Sequence, residues 1–294
     1  MSSRQGLLAG FFAYFFWGLF PLYWKPLSHV PAIEILGHRM VWSLVFVAVV
    51  LFWMKDVKRT FSLLKAPGIA KTFLLSSLLL ATNWGLYIWA VNEGMILECS
   101  LGYFMNPLVN ILLGAVFLKE RLRPLQKIAV LIATLGVVWM TFHLGKLPWV
   151  ALILALSFGF YGLIRKTAKL NSLEGLSVET LLLAGPALIF LLSLEWLGKA
   201  SFGHIPAYQS WMLAGAGIVT AVPLLLFAIG ARRLPLSTMG ILQYLSPSIQ
   251  FGLGVWLYHE PFDHVRFMGF IAIWTALAIY TLEGVYRQAR AQFA

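Results

Sequence analysis

Glu34, His38 and Arg39 fall within little more than one helical turn in the stretch PAIEILGHRMVWS, and the i, i+4 spacing puts the carboxylate and the imidazole on one helix face. A carboxylate beside a histidine can titrate and pass protons. The same three residues can equally hold their own helix against a neighbour, so the sequence leaves two readings of this cluster, coupling or gating on one side and packing on the other. The second group with chemistry to offer is amide-rich. SLGYFMNPLVN (residues 100–110) sets Asn106 directly before Pro107 with Asn110 one turn on, and GILQYLSPSIQ (240–250) places Gln243, Ser246, Pro247 and Gln250 at matching intervals. Proline removes a backbone N–H and disturbs the carbonyl four residues earlier, so each patch can either bind a solute or bond helices together around a kink.

A third candidate fails on spacing. HEPFDH (259–264) resembles the zinc-protease pattern HExxH, but its histidines are five apart with Pro261 between them, which takes them off a common helix face. No Walker motif, Asp-rich diphosphate motif or GxSxG elbow occurs, and the single cysteine, Cys99, excludes a disulfide within the chain and any Cys-based zinc cluster. We expect no metal, no cofactor and no catalytic residue.

The elements that must position these groups follow from composition. Of the 294 residues 60% are hydrophobic and only 11% charged, too little polar surface to cover a water-soluble fold. Segments of roughly 20 apolar residues, the length needed to cross hydrocarbon, are read near 5–24, 32–54, 70–91, 99–119, 124–142, 147–166, 176–197, 209–230, 235–257 and 263–286. The expected fold is therefore an all-α integral membrane protein with ten transmembrane helices. Arg4 and the apolar run after it form a first retained span, because no small-residue cleavage site follows. Lys and Arg crowd one set of ends, such as Lys55, Lys58, Arg59, Lys65 and Lys71 or Lys119, Arg121, Arg123 and Lys127, whereas the opposite ends hold Lys25, Lys146, Lys199 and Arg266. Basic loops stay on the cytoplasmic side, so both termini are expected there. The net charge of +11 is thereby assigned to anionic membrane lipid and not to nucleic acid.

The sequence also matches itself. A shift of 140 residues aligns Asn106-Pro107 with Ser246-Pro247, Phe104 with Tyr244, Gly114 with Gly254 and Glu120 with Glu260, and a shift of 141 pairs Gly18 with Gly159 and Lys25 with Lys166. Each unit then holds five spans, residues 1–145 and 146–294, and an odd number inverts the second unit relative to the first. Recurrence of the polar patches, each with a polar residue directly before a proline, at equivalent positions favours a cavity wall. Around Asn106, Asn110, Gln243 and Gln250 we place further polar and aromatic residues: Tyr14 and Trp17 on the first span, Asn83, Trp84 and Tyr87 on the third, Tyr103 on the fourth, Phe158 and Tyr161 on the sixth and Tyr244 on the ninth. Pro107, Pro223 and Pro247 are the expected helix kinks. Glu98, Glu120 and Glu179 are read as rim acids, with Glu120 pairing in the turn that follows the fourth span.

SLGYFMNPLVNILLG followed by LKERL, with EILGHRMVWS, TAVPLLLFA, LQYLSPS and FIAIWTALAIY, resembles the RarD branch of the EamA-type drug/metabolite transporter superfamily over essentially the whole chain. The resemblance implies a bacterial inner (plasma) membrane carrier built from two inverted five-helix repeats, opening alternately to each side. It also sets Lys25 and Arg39 at basic positions of the family pattern. The resulting expectation is a secondary transporter, and no enzyme, exporting small metabolites or drugs with protons as the coupling ion; Lys25, Glu34, His38 and Arg39 serve coupling or gating. The alternative is an integral-membrane enzyme or scramblase acting on a lipid-linked substrate.

Overall fold

The computed structural model describes residues 3–54, 57–64, 68–93, 95–145, 147–258 and 264–292, and their regular structure is entirely helical. Lys55, Lys65, Lys146, Glu260, Pro261 and Asp263 lie outside the described residues, as does most of the HEPFDH stretch. Helix is what an apolar chain must form in lipid, where each backbone N–H and C=O has to find its partner within the segment. The elements are α1 (Ser3–Gly18), α2 (Phe20–Trp24), α3 (Ala32–Trp53), α4 (Val57–Leu64), α5 (Ile69–Asn92), α6 (Ile96–Phe117), α7 (Pro124–Leu144), α8 (Trp149–Thr167), α9 (Ser172–Trp196), α10 (Ala207–Arg233), α11 (Leu236–Gln243), α12 (Leu245–Gly252) and α13 (His264–Gln292).

Six of these, α3, α5, α7, α8, α9 and α10, are long and apolar enough to cross a membrane, and the segment formed by α1 with α2, bent by 42°, makes a seventh. The fourth and tenth expected spans appear as shorter apolar stretches, Leu101–Phe117 within α6 and Phe267–Glu283 within α13. The ninth is divided at Tyr244 into α11 and α12. Pro247 explains that break, since its ring disfavours the helical carbonyl four residues back, at Gln243. The other two expected kinks differ: α6 and α10 each run as one uninterrupted helix through Pro107 and Pro223.

Helix starts carry local signals. Asn171 Oδ1 accepts the Glu174 N–H (2.9 Å) while Glu174 Oε2 accepts the Asn171 N–H (2.8 Å), a reciprocal cap at the head of α9. Glu120 does more than serve its own turn. It reaches across to the head of α11, accepting from Leu236 N (2.6 Å), Ser237 N (3.0 Å) and Ser237 Oγ (2.8 Å).

Polar groups face inward and apolar ones outward, the reverse of a soluble fold. Glu34, His38, Asn106, Asn110, Arg165 and Glu179 are buried, whereas Ile189, Leu192 and Val116 are exposed. Trp53, Trp196 and Trp211 stand exposed near helix ends, where tryptophan settles at the headgroup level. In the interior α1 packs on α10, α3 on α9 and α10, α5 on α8, α6 on α8 and α11, and α7 on α13. The tightest of these contacts needs glycine: a Cβ on Gly217 would lie 2.2 Å from the Trp42 carbonyl carbon, and small residues of this kind let membrane helices approach closely. Ser43 Oγ donates to the Gly217 carbonyl at the same crossing (3.1 Å).

Gly217→Leu is expected to separate α3 from α10 and to cost at least about 1–3 kcal/mol, as overpacking does elsewhere. Gly85→Ala, where an added Cβ meets nothing within 4 Å, is the control. Thermal unfolding in detergent should show a lower midpoint for the first and an unchanged or raised one for the second.

Candidate substrate cavity

A cavity of about 420 Å³ opens between α1, α2, α3, α5, α6, α8, α10, α11 and α12. Ten of the thirteen residues expected to line it do so: Tyr14, Trp17, Asn83, Trp84, Tyr87, Tyr103, Asn106, Phe158, Gln243 and Gln250. Three do not. Asn110 turns its Nδ2 to Gln243 Oε1 (2.9 Å), Tyr161 stacks on Phe227 at 5.9 Å, and the Tyr244 hydroxyl donates to the Phe104 carbonyl (3.2 Å). Each belongs to a buried helix-to-helix contact, because the face it shares with a lining residue is wider than the cavity.

The lining is held in place by interhelical bonds, one of which also repairs a broken helix. Pro21 has no N–H, so the Trp17 carbonyl loses its partner four residues ahead; Gln250 Nε2 donates to it instead (3.0 Å). Ser246 Oγ donates to the Tyr14 carbonyl (2.5 Å), and Asn83 Nδ2 is taken up by the Leu154 carbonyl (2.8 Å) and Ser157 Oγ (3.0 Å). Asn106 Oδ1 and the Tyr14 hydroxyl are different: both are buried and have no hydrogen-bond partner among the described residues. A buried acceptor left unmatched costs about 1–3 kcal/mol, which a bound solute can recover.

The expected coupling cluster separates. Glu34 accepts from Ser201 N (2.6 Å), Ser201 Oγ (2.8 Å) and Phe202 N (3.3 Å), with His38 Nε2 at 3.9 Å, so it anchors the segment between α9 and α10. His38 lies against the Phe202 ring at 4.9 Å, and neither Glu34 nor His38 lines the cavity. Lys25 is also off the lining, with Nζ 4.5 Å from the centroid of the Tyr258 ring, whose hydroxyl donates to the Pro21 carbonyl (3.3 Å). Arg39 does line it. Its Nε donates to Thr220 Oγ1 (3.0 Å), and its guanidinium carbon stands 4.7 Å from the Trp84 ring, 5.3 Å from Trp24 and 5.9 Å from Phe20.

Towards the end of the bundle that carries Gly6, Arg165 and Arg233, the cavity is closed by stacked layers. Phe158 meets Trp17 at 5.8 Å and Phe227 at 5.3 Å, and Tyr14 meets Phe227 at 6.2 Å. Behind them lies a polar network that the sequence reading missed. Glu179 is no rim residue: it is fully buried, accepting from Ser76 Oγ (2.6 Å) and the Tyr161 hydroxyl (3.3 Å), with Arg165 Nη1 at 3.7 Å. Glu98 is buried as well. Arg165 Nη2 donates to the Ser172 carbonyl (2.7 Å), and Gly175 leaves room for the guanidinium where a Cβ would collide with it. Lys166 Nζ donates to the Ala231 and Leu234 carbonyls and Arg232 Nη1 to those of Ala168 and Leu170, tying the α8–α9 connection to the end of α10. Towards the opposite end Pro21, Trp24, Ala32 and Ile88 continue the cavity wall.

Removing one partner of a buried ion pair strands the other, at a cost of about 3–5 kcal/mol. Glu179→Leu should therefore lower the unfolding midpoint strongly, and adding Arg165→Met to it should restore a large part of the loss. A double-mutant cycle in detergent measures both, and additive losses would contradict the pairing.

Comparison with known proteins agrees with this architecture. The pattern of the EamA-like transporter family matches residues 4–142 and again 147–282. The chain is 46% identical over 289 residues to the "Uncharacterized transporter YojE" of Bacillus subtilis, covering 97% of this chain and 96% of that one. It is 42% identical over 289 residues to "Protein RarD" of Escherichia coli (98% of both chains), and 33% identical over 285 residues to the "Chloramphenicol-sensitive protein RarD" of Pseudomonas aeruginosa (94% and 93%). A solved crystal structure at 20% identity superposes with a TM-score of 0.73 over 96% of this chain and 98% of that one, which extends the likeness of fold. With its helices, its cavity and these matches taken together, the protein belongs to the EamA-like transporter family, among its RarD-type members.

Proposed function

We propose that the protein is a secondary carrier that moves small metabolites or drugs outward across the bacterial inner membrane by alternating access. The observation that carries this reading is the cavity: enclosed between helices of both halves, drug-sized, reaching toward one end of the bundle and sealed at the other by an aromatic layer backed by the Arg165–Glu179 pair. With the basic loops cytoplasmic, the sealed end is the inner one and the protein stands outward-facing.

Two inverted five-span units are part of the proposal, and the helix contacts support them. Exchanging the units, so that α1 with α2 trades places with α8, α3 with α9, α5 with α10, α6 with α11 and α12, and α7 with α13, turns the α1–α10 contact into α8–α5, α3–α10 into α9–α5, and α6–α8 into the contact of α1 with α11 and α12. All of these contacts are present, and α3–α9, α6–α11 and α7–α13 map onto themselves. The double match of the family pattern supports the same division. Proton coupling also belongs to the proposal. With no carboxylate on the cavity wall among the described residues, the protonatable groups that could serve it are Glu179 behind the seal and the Glu34–His38 pair beside the cavity.

The test is uptake into proteoliposomes of labelled amino acids, nucleobases and chloramphenicol, the last suggested by the printed name of the Pseudomonas relative. A transported compound should show saturation and counterflow, an imposed pH gradient should accelerate it, and Asn106→Leu should abolish it while leaving the elution profile and unfolding midpoint intact. Flux that never saturates and ignores Asn106→Leu would favour a scramblase or channel; chemical change in added lipid would favour an enzyme.

A further inference from the structure

Resting on the carrier reading, we infer that the cavity is a receptor for an organic anion, with Arg39 holding a carboxylate of the transported molecule. Arg39 is the only charged residue on the cavity wall, and no Asp, Glu, Lys or His accompanies it there among the described residues. Its natural counterion would be Glu34, five residues earlier on the same helix, but that carboxylate is taken up by Ser201 and Phe202. Arg39 forms no ion pair with any described residue. A cation held at membrane depth without a counter-charge is expensive, and only part of that expense is relieved here.

The relief comes from Thr220, which accepts from Nε, and from the faces of Trp84, Trp24 and Phe20 around the guanidinium. A guanidinium carries five N–H donors, and the Nη groups find no acceptor among the described residues. Their planar fork matches the two oxygens of a carboxylate. The remaining wall completes the description of the ligand. Trp17, Trp84 and Phe158 offer aromatic surface to a planar apolar body. Organic cations are disfavoured by the same charge that recruits acids.

Two isosteric probes, phenylacetate and phenylacetamide, separate charge from shape, with phenethylamine as a cation of similar size, each titrated calorimetrically against the protein in detergent. Phenylacetate should bind at least about tenfold more tightly than phenylacetamide, as one charge-assisted pair in a shielded site allows, and phenethylamine should bind more weakly than the amide. Arg39→Gln should level acid and amide, and Arg39→Lys, which keeps the charge without the fork, should retain part of the preference. Equal binding of acid and amide by the wild-type protein, absence of phenylacetate binding, or a preference that survives Arg39→Gln would each overturn the assignment. Should Arg39→Gln fail to fold, the wild-type comparison and Arg39→Lys decide it. Saturable counterflow of a neutral compound, lost in Asn106→Leu, alongside equal binding of acid and amide would leave the carrier reading standing without the anion assignment; acid-selective binding without counterflow of any compound would do the reverse.

Discussion

An amide or a charge placed in hydrocarbon without a partner has nowhere to turn but inward, and this constraint organises the molecule. It sets Glu34, Glu120 and Glu179 against backbone N–H groups and hydroxyls, where their sequence positions alone would allow water. It also converts each proline into an obligation. Pro21 leaves the Trp17 carbonyl unpaired and Gln250 from the other half of the chain satisfies it. Helix breaks in this protein are therefore also cross-links between its halves.

The same economy decides which polar groups serve structure and which stay available. Asn83, Asn110 and Ser246 direct donors into interhelical bonds. Asn106 and Tyr14, on the same wall, keep atoms unmatched. Asn110 does both, its Nδ2 bonded to Gln243 and its Oδ1 without a partner among the described residues.

That distinction explains what could be read from the sequence. The positions of the long helices, the interior placement of Asn106 and Gln243 and most of the cavity wall followed from apolar length, proline position and self-similarity, which act locally or through the repeat. Asn110, Tyr161 and Tyr244 were assigned to the wall because helical spacing gives a face but not its width. Glu179 was set at a rim because the seventh span was started at residue 176; the Asn171–Glu174 cap begins α9 at Ser172, and those four residues carry Glu179 a full turn deeper. The capping pattern NSLE was the signal that would have corrected it. The Glu34 contacts with Ser201 and Phe202 join residues 167 or more positions apart, and no local pattern encodes them.

A wall that carries, among the described residues, one fixed positive charge and no acid has an electrical consequence for the proposed transport cycle. Loaded with a univalent anion the site is neutral, and empty it carries a full charge. In the proposed cycle the membrane potential, worth about 2.3 kcal/mol per charge for each 100 mV, would act on the return of the empty protein and leave the anion-loaded step unaffected. On the proposed outward cycle, an interior-negative potential would favour return of the vacant Arg39 site toward the cytoplasm, so voltage would help reset the carrier after each release.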